Sequence, residues 1–512
     1  MTTFVLGRDS LSPLAVARVA RGEARVVASD DEGARNRWAA ARAVVDKRVA
    51  EGPAIYGVST GFGASCENAV PAEQAAALAQ NLFRYHGCGH GPALSDEESA
   101  AVLVCRAAQL ANGWSGMRRS TFEALLALLE ARVLPRIPAF GSVGASGDLT
   151  PLSYVAAVLA GEREATHRGE LMSAKDALAR AGLVPVALAA KESLSLMNGT
   201  SVMTAMACLG FERATRFVQA HAAVTALVTA VTRGNASHFD ARIFEAKPHA
   251  GSVAYAERVR DWLGVGPRPP ARGEEARIQD PYSLRCAPHV VGVLADGLAA
   301  LEPMLTTEIN GAGDNPLVCA ETGEVLHGGN FYGGHVGFVC DTLKSLVASA
   351  AEVLERQVVL LNQPRTSGGL PENLVLAGPA HHGFKAMEIL ASSLVADALR
   401  KTMPASSFSR STEGHNQDKV PMGAHAARDL RDIIELSEAV LAIALLGACQ
   451  GVDARGAGAG GISDLPAPLA ALHARVREIV PANTADRRQD IDLDALLAAY
   501  RAGTLGLEHA RS

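Results

Sequence analysis

Gly141-Ser-Val-Gly144-Ala145-Ser146-Gly147-Asp148-Leu149-Thr150-Pro151-Leu152 places a run of small residues directly before an apolar segment. Gly144 and Gly147 open backbone conformations closed to other residues, and Ala145 adds a single methyl. Thr150-Pro151 reads as a helix N-cap followed by proline at the first helical position. The run Leu152-Ser-Tyr-Val-Ala-Ala-Val-Leu-Ala160 continues as a helix. An unhindered, sharply turned peptide therefore sits at the positive end of a helix, which suits either anion binding or chemistry on the backbone itself.

The surroundings of this turn are helical. The 512 residues are 48% apolar but only 4% aromatic, with alanine abundant, a composition that favours close-packed helices over sheets. Helices are expected over 31–49, 72–85, 95–110, 121–133 and 152–160, with Ser95-Asp-Glu-Glu98 a capping box. Beyond residue 191 the segments lengthen: 194–231, 289–309, 333–363, 383–402 and 424–450. The first of these is apolar or small nearly all round, as only a buried helix can be. The expectation is an all-α bundle of long helices (192–512) preceded by a smaller helical region (1–191) that bears the turn. Gly456-Ala-Gly-Ala-Gly-Gly461 follows no strand and opens no helix, so it reads as a linker rather than a dinucleotide loop.

Composition also narrows the partners. A formal charge of −6 without a basic stripe argues against nucleic acid and anionic membranes. Eight cysteines (66, 88, 105, 208, 286, 319, 340 and 449) show no metal-ligand spacing and no disulfide framework. The first residues carry no secretory pattern, and the apolar run 439–449 is too short to span a bilayer, so a cytoplasmic protein without metal is expected.

Polar phrases interrupt this apolar chain, and each needs a partner or a task, because burying an unpaired amide or charge is costly. Tyr56-Gly-Val-Ser-Thr-Gly61-Phe-Gly63 is a glycine-rich loop whose tyrosine is either a packing anchor or a functional phenol. Asn198, in Met-Asn-Gly-Thr-Ser, is either a satisfied core amide or a functional one. Gln279-Asp-Pro-Tyr282-Ser-Leu-Arg285 puts Tyr282 and Arg285 on one helical face, the arginine serving a structural ion pair or a carboxylate clamp. Asp314-Asn315-Pro, His327-Gly-Gly-Asn330-Phe331 and Glu413-Gly-His415-Asn416-Gln417-Asp418 resemble pocket rims.

Taken together and in order, these seven phrases resemble the histidine, phenylalanine and tyrosine ammonia-lyases across essentially the whole chain. The resemblance implies that Ala145, Ser146 and Gly147 cyclise and dehydrate into a methylidene-imidazolone (MIO), the Gly147 nitrogen attacking the Ala145 carbonyl. It implies Tyr56 as the base, with a phenol lowered from its usual value near 10, and Arg285 as the clamp for the substrate carboxylate. Asn198, Gln279 and Tyr282 would orient the ring and the amine. Gly63, Asn315 and Phe331 would line the site. No metal or diffusible cofactor is implied, and the family's homotetramer is, with each site built from more than one chain.

Two positions bear on the substrate. Histidases carry a glutamate in the phrase that here reads Asn416-Gln417-Asp418, and neutral Gln417 argues against histidine. The pair Tyr85-His86 offers hydrogen-bonding groups to a ring hydroxyl, although His86 is itself a histidase-like residue. The expected substrate is tyrosine, giving para-coumarate and ammonia, with phenylalanine, histidine or an aminomutase outcome as alternatives. The Gly-Ser-Ser-x-Met-Pro loop of fumarase-type lyases is absent.

Overall fold

A computed structural model describes residues 1–51, 53–270, 278–456 and 465–507. Most of the loop expected to link 456 and 461 lies outside them, as do residues 271–277. Helices dominate, as the alanine-rich composition requires. The long ones span Ser201–Val231, Ala287–Asn310, Gly334–Asn362 and Gly423–Gly456. Their buried stripes recur at helical spacing: Val291, Leu294, Leu298, Leu301, Leu305 and Ile309 lie on one side of Ala287–Asn310. By length and hydropathy, Tyr282–Asn310 would suffice to cross a membrane, although it holds no unbroken apolar run of that length. Its charged residues Arg285, Asp296, Glu302 and Glu308 and its single buried stripe also fit a helix packed along one side.

The chain divides into two compact units that differ from a boundary at 191/192. One comprises Met1–Glu212, Leu301–Asp341 and Pro404–Leu430; the other comprises Arg213–Ala300, Thr342–Met403 and Arg431–Ser512. Apart from the one at 403/404, the divisions fall inside the long helices, where composition carries no boundary signal. The first unit also holds short strands. Thr2–Leu6 pairs in parallel with Ala24–Ala28, and Val133–Pro135, Glu164–His167 and Glu170–Ser173 form an antiparallel sheet.

Two local departures from the sequence reading position the site. The helix after the glycine-rich turn begins at Leu149 with Asp148 at its N-cap, not at Pro151 with Thr150 as cap. Asp148 is fully buried, and its carboxylate accepts the Val202 and Met203 amides at 3.0 and 2.8 Å. It thereby satisfies the open N–H groups of the Ser201–Val231 helix rather than those of its own. The expected helix 194–231 is broken for the same reason. Glu192–Met197 ends at Asn198, whose backbone is extended, and Gly199 adopts φ +144°, before the helix resumes at Ser201. The capping box at Ser95 forms as read, with both reciprocal hydrogen bonds. All eight cysteines are free.

Candidate active site

The first unit contains a cavity of about 560 Å³ that collects residues distant in sequence. Tyr56, Gly63, Tyr85, His86, Ala145, Ser146, Gly147, Asn198 and Gln417 all line it. The tripeptide forms its floor. Gly147 pairs back onto Gly144 and Ala145, so the turn is folded on itself. Gly147 has φ +68°, and a Cβ there would strike the Gly199 carbonyl; only glycine fits. Ser142 tightens the loop by accepting the Gly144 amide at 3.0 Å and donating to the Gly147 carbonyl at 3.2 Å.

Two amides hold Ser146. Asn198 Nδ2 donates to its carbonyl at 3.3 Å, and Gln417 Nε2 donates to its hydroxyl at 2.8 Å. Asn198 Oδ1 is buried and has no hydrogen-bond partner among the described residues, an acceptor left open at the floor of the cavity. The folded-back tripeptide, the cradle that excludes a side chain at 147 and the open amide oxygen fit a backbone ring formed from residues 145–147. Gln417 is itself fixed by Thr412, whose hydroxyl donates to Gln417 Oε1 at 3.1 Å.

Tyr56 faces the same cavity. The Gly63 N–H donates to its phenol oxygen at 2.8 Å, an interaction that favours the phenolate. Gly63 needs its φ of +55°, and a Cβ there would meet the Glu413 carboxylate. Within the single chain the phenol is nevertheless raised above its ordinary value. Burial is the main cause, Cys66 and Glu413 add to it, and the Gly63 amide opposes it. The expectation of a lowered phenol is thus reversed in this chain by itself, because burial outweighs the Gly63 amide.

The rings of Tyr85 and His86 meet at a tilt of 33°, with centroids 4.4 Å apart. His86 Nδ1 lies 3.3 Å from Thr150 Oγ1. Burial, reinforced by the Arg163 charge, lowers the imidazole to about 4, so it is neutral at physiological pH. Burial and then the charges of Glu413 and Tyr56 push the Tyr85 phenol up to about 12. This wall therefore offers two neutral hydrogen-bonding groups.

Other expected residues stand apart from this cavity's lining. Asn315 Oδ1 accepts the Gly328 amide at 2.8 Å, which fixes a loop, and half-buried Phe331 is not among the lining residues. Gln279, Tyr282 and Arg285 belong to the second unit. There Tyr282 is 70% exposed, and the Arg285 guanidinium lies over its ring at 4.4 Å while Nε donates to the Asp280 carbonyl at 2.9 Å. Sequence reasoning gave no role to Glu413, Thr412, Phe62 or Leu194, which also line the cavity. Glu413 was visible only as the first letter of a phrase. Its proximity to Tyr56 arises from a fold contact across more than 300 positions.

A phenol, a folded-back Ala-Ser-Gly turn and converging amides in one cavity equip a lyase that breaks a carbon–nitrogen bond. The family model described as "aromatic amino acid lyase" matches residues 11–478. A histidine ammonia-lyase from Sorangium cellulosum is 40% identical over 484 residues, 92% of each chain. A tyrosine ammonia-lyase from Cupriavidus metallidurans is 38% identical over 515 residues, covering 97% of this chain and 95% of the relative. The crystal structure of a tyrosine aminomutase from Streptomyces globisporus superposes with a TM-score of 0.89 at 33% identity, covering 98% and 97% of the two chains. The chain belongs to the aromatic amino acid ammonia-lyase family and is a carbon–nitrogen lyase.

Proposed function

We propose that the chain deaminates L-tyrosine to para-coumarate and ammonia. The observation that carries the substrate reading is the cavity lining, which brings together neutral His86, protonated Tyr85 in ring contact with it, and a neutral Gln417 committed to Ser146. A substrate phenol can both donate to and accept from such groups, whereas an imidazolium gains no charge partner from Gln417.

The ring that the Ala145–Gly147 peptide fits would supply an electrophile for the substrate amine. The chain's own residues do the rest. Asn198 and Gln417 fix the Ser146 backbone and side chain, so the reactive carbon is presented without a conformational search. Tyr56 takes the β-proton. Its phenol needs a nearby cation to fall toward the working pH, and the Gly63 N–H already stabilises the phenolate that proton transfer requires. Arg285 clamps the substrate carboxylate through its Nη nitrogens, which have no hydrogen-bond partner among the described residues, with Tyr282 and Gln279 near it in sequence. A homotetramer fits this assignment: Tyr282, Val293 and Phe338 are exposed at 70%, 52% and 53%, which supports burial of these faces by further copies that complete each site.

A second reading, histidine to urocanate, is favoured by the Glu413 carboxylate beside Tyr56, which could pair with an imidazole, and by relatives named histidine ammonia-lyases. Incubation with tyrosine, phenylalanine and histidine separately, followed in the ultraviolet for each acrylate, decides between them. Para-coumarate as the dominant product is expected; urocanate alone would overturn the tyrosine assignment. Chiral chromatography for β-tyrosine tests the aminomutase outcome.

A further inference from the structure

Arg106 lies in the Asp96–Leu110 helix, and its side chain is fully buried. Its guanidinium forks three ways. Nη2 donates to the Ser195 carbonyl at 2.6 Å, and Nη1 donates to Gln109 Oε1 at 3.2 Å and to Ser201 Oγ at 3.3 Å. Nε has no hydrogen-bond partner among the described residues. A guanidinium removed from water on these terms is expensive, and the ordinary uses of arginine, a surface charge or a paired ion, do not account for it.

What lies in front of it does. A Cβ on Gly199 would strike Arg106 Nη1, so guanidinium and Gly199 peptide are in direct contact. A Cβ on Gly147 would strike the Gly199 carbonyl, and the Asp148 N–H donates to that same carbonyl at 2.7 Å. Guanidinium, Gly199 peptide and Gly147-Asp148 peptide thus form three layers with no side chain between them. The back of the stack is also fixed. Lys191, fully buried, donates to Asp314 Oδ2 at 2.7 Å and to Ser195 Oγ at 3.3 Å, and Ser195 Oγ donates to the Ser115 carbonyl at 3.1 Å. Ser195, whose carbonyl receives Arg106, is therefore tied down on both sides.

We infer that Arg106 is a positioning residue for the Ala145–Gly147 tripeptide, bracing the Gly199 peptide from behind so that the Gly147 backbone cannot retreat from Ala145. This rests on the ring-forming reading of residues 145–147. In that step a bond forms between the Gly147 nitrogen and the Ala145 carbonyl carbon. The carbonyl oxygen leaves as one water, with the amide hydrogens of Ser146 and Gly147, and the Ser146 hydroxyl leaves with its α-hydrogen as a second. No oxidant or reductant enters. The step needs the two backbone groups held closer than an open turn would keep them, and a rigid wall behind Gly147 supplies that.

The test is the intact mass of the full-length chain as wild type, Arg106→Gln and Arg106→Lys, alongside thermal unfolding of each. The fraction of chains lighter by two waters is expected to fall at least about twofold in Arg106→Gln. It should recover partly in Arg106→Lys, which keeps a cation but not the fork. In ring-bearing chains of Arg106→Gln, kcat should fall about tenfold with KM unchanged, since substrate does not touch Arg106. Complete loss of two waters in a folded Arg106→Gln chain would overturn the brace, whatever its melting temperature. Should Arg106→Gln fail to fold, Gly199→Ala, which wedges a methyl into the stack, is read in its place: a full two-water loss there would overturn the inference equally. A wild-type chain of unmodified mass would instead remove the ring-forming reading and leave the brace without an object.

Discussion

The Ala145–Gly147 floor and the Tyr282–Arg285 turn carry equally distinctive sequence phrases, yet they are built differently. The floor is closed and tightly held: Ser146 is fixed at both oxygens, Asp148 caps a helix, and glycines at 147 and 199 let backbones meet without side chains. The turn is open, with Tyr282 mostly exposed, Arg285 Nε bonded to the Asp280 carbonyl and its guanidinium over the ring of Tyr282. A rigid platform and an accommodating clamp are the two things that chemistry on a bound amino acid requires. The contrast predicts that changes at the floor alter the chemistry itself, whereas changes at the turn alter how well substrate is held.

The largest effect is expected at the floor. Ser146→Ala should abolish the two-water mass loss and reduce turnover by roughly 10³ or more, with far-ultraviolet circular dichroism unchanged. Tyr56→Phe should leave the mass loss intact and reduce kcat to a similar degree; retained turnover would remove the base assignment. Arg285→Ala, at the turn, should cost about 10²-fold in kcat/KM, mainly through KM, with melting temperature little changed. A loss confined to kcat would erase the distinction between the two regions. Gln417→Glu should move preference from tyrosine toward histidine by about tenfold in kcat/KM ratio, measured by competition.

The smallest effect concerns stability far from either region. His221 is buried in the second unit, with Nδ1 2.7 Å from the Tyr255 hydroxyl and Nε2 3.1 Å from the Ala350 carbonyl. Burial lowers it to about 4 from an unfolded value of 6.5. The unfolded chain thus binds the proton first as pH falls, and stability should decline from pH 6.5 down to about 4. Denaturant titrations of His221→Gln against wild type should show a shallower decline over that window.

How much of this was legible depends on range. Helices of strong periodicity fall within a few residues of their expected bounds, and the capping box at Ser95 forms because its signal is wholly local. The helix break at Asn198–Thr200 and the true cap at Asp148 were missed for a shared reason: the Asp148 carboxylate bonds amides 54 and 55 residues away. Tyr56, Tyr85, His86 and Gln417 were found through their phrases and do gather in one cavity. Arg106 was unreadable, since an arginine among alanines in a helix looks like surface, and only the packing of Gly199 against it reveals otherwise. The direction of the Tyr56 shift was likewise beyond reach, being set by burial, with Cys66 and Glu413 adding to it.

The platform is the central claim, and its most direct test is the mass of the purified full-length chain followed by peptide mapping. The account predicts a chain lighter by two waters, with the whole difference in the peptide containing residues 145–147 and absent from Ser146→Ala. A wild-type chain of unmodified mass, still turning over an aromatic amino acid, would contradict it.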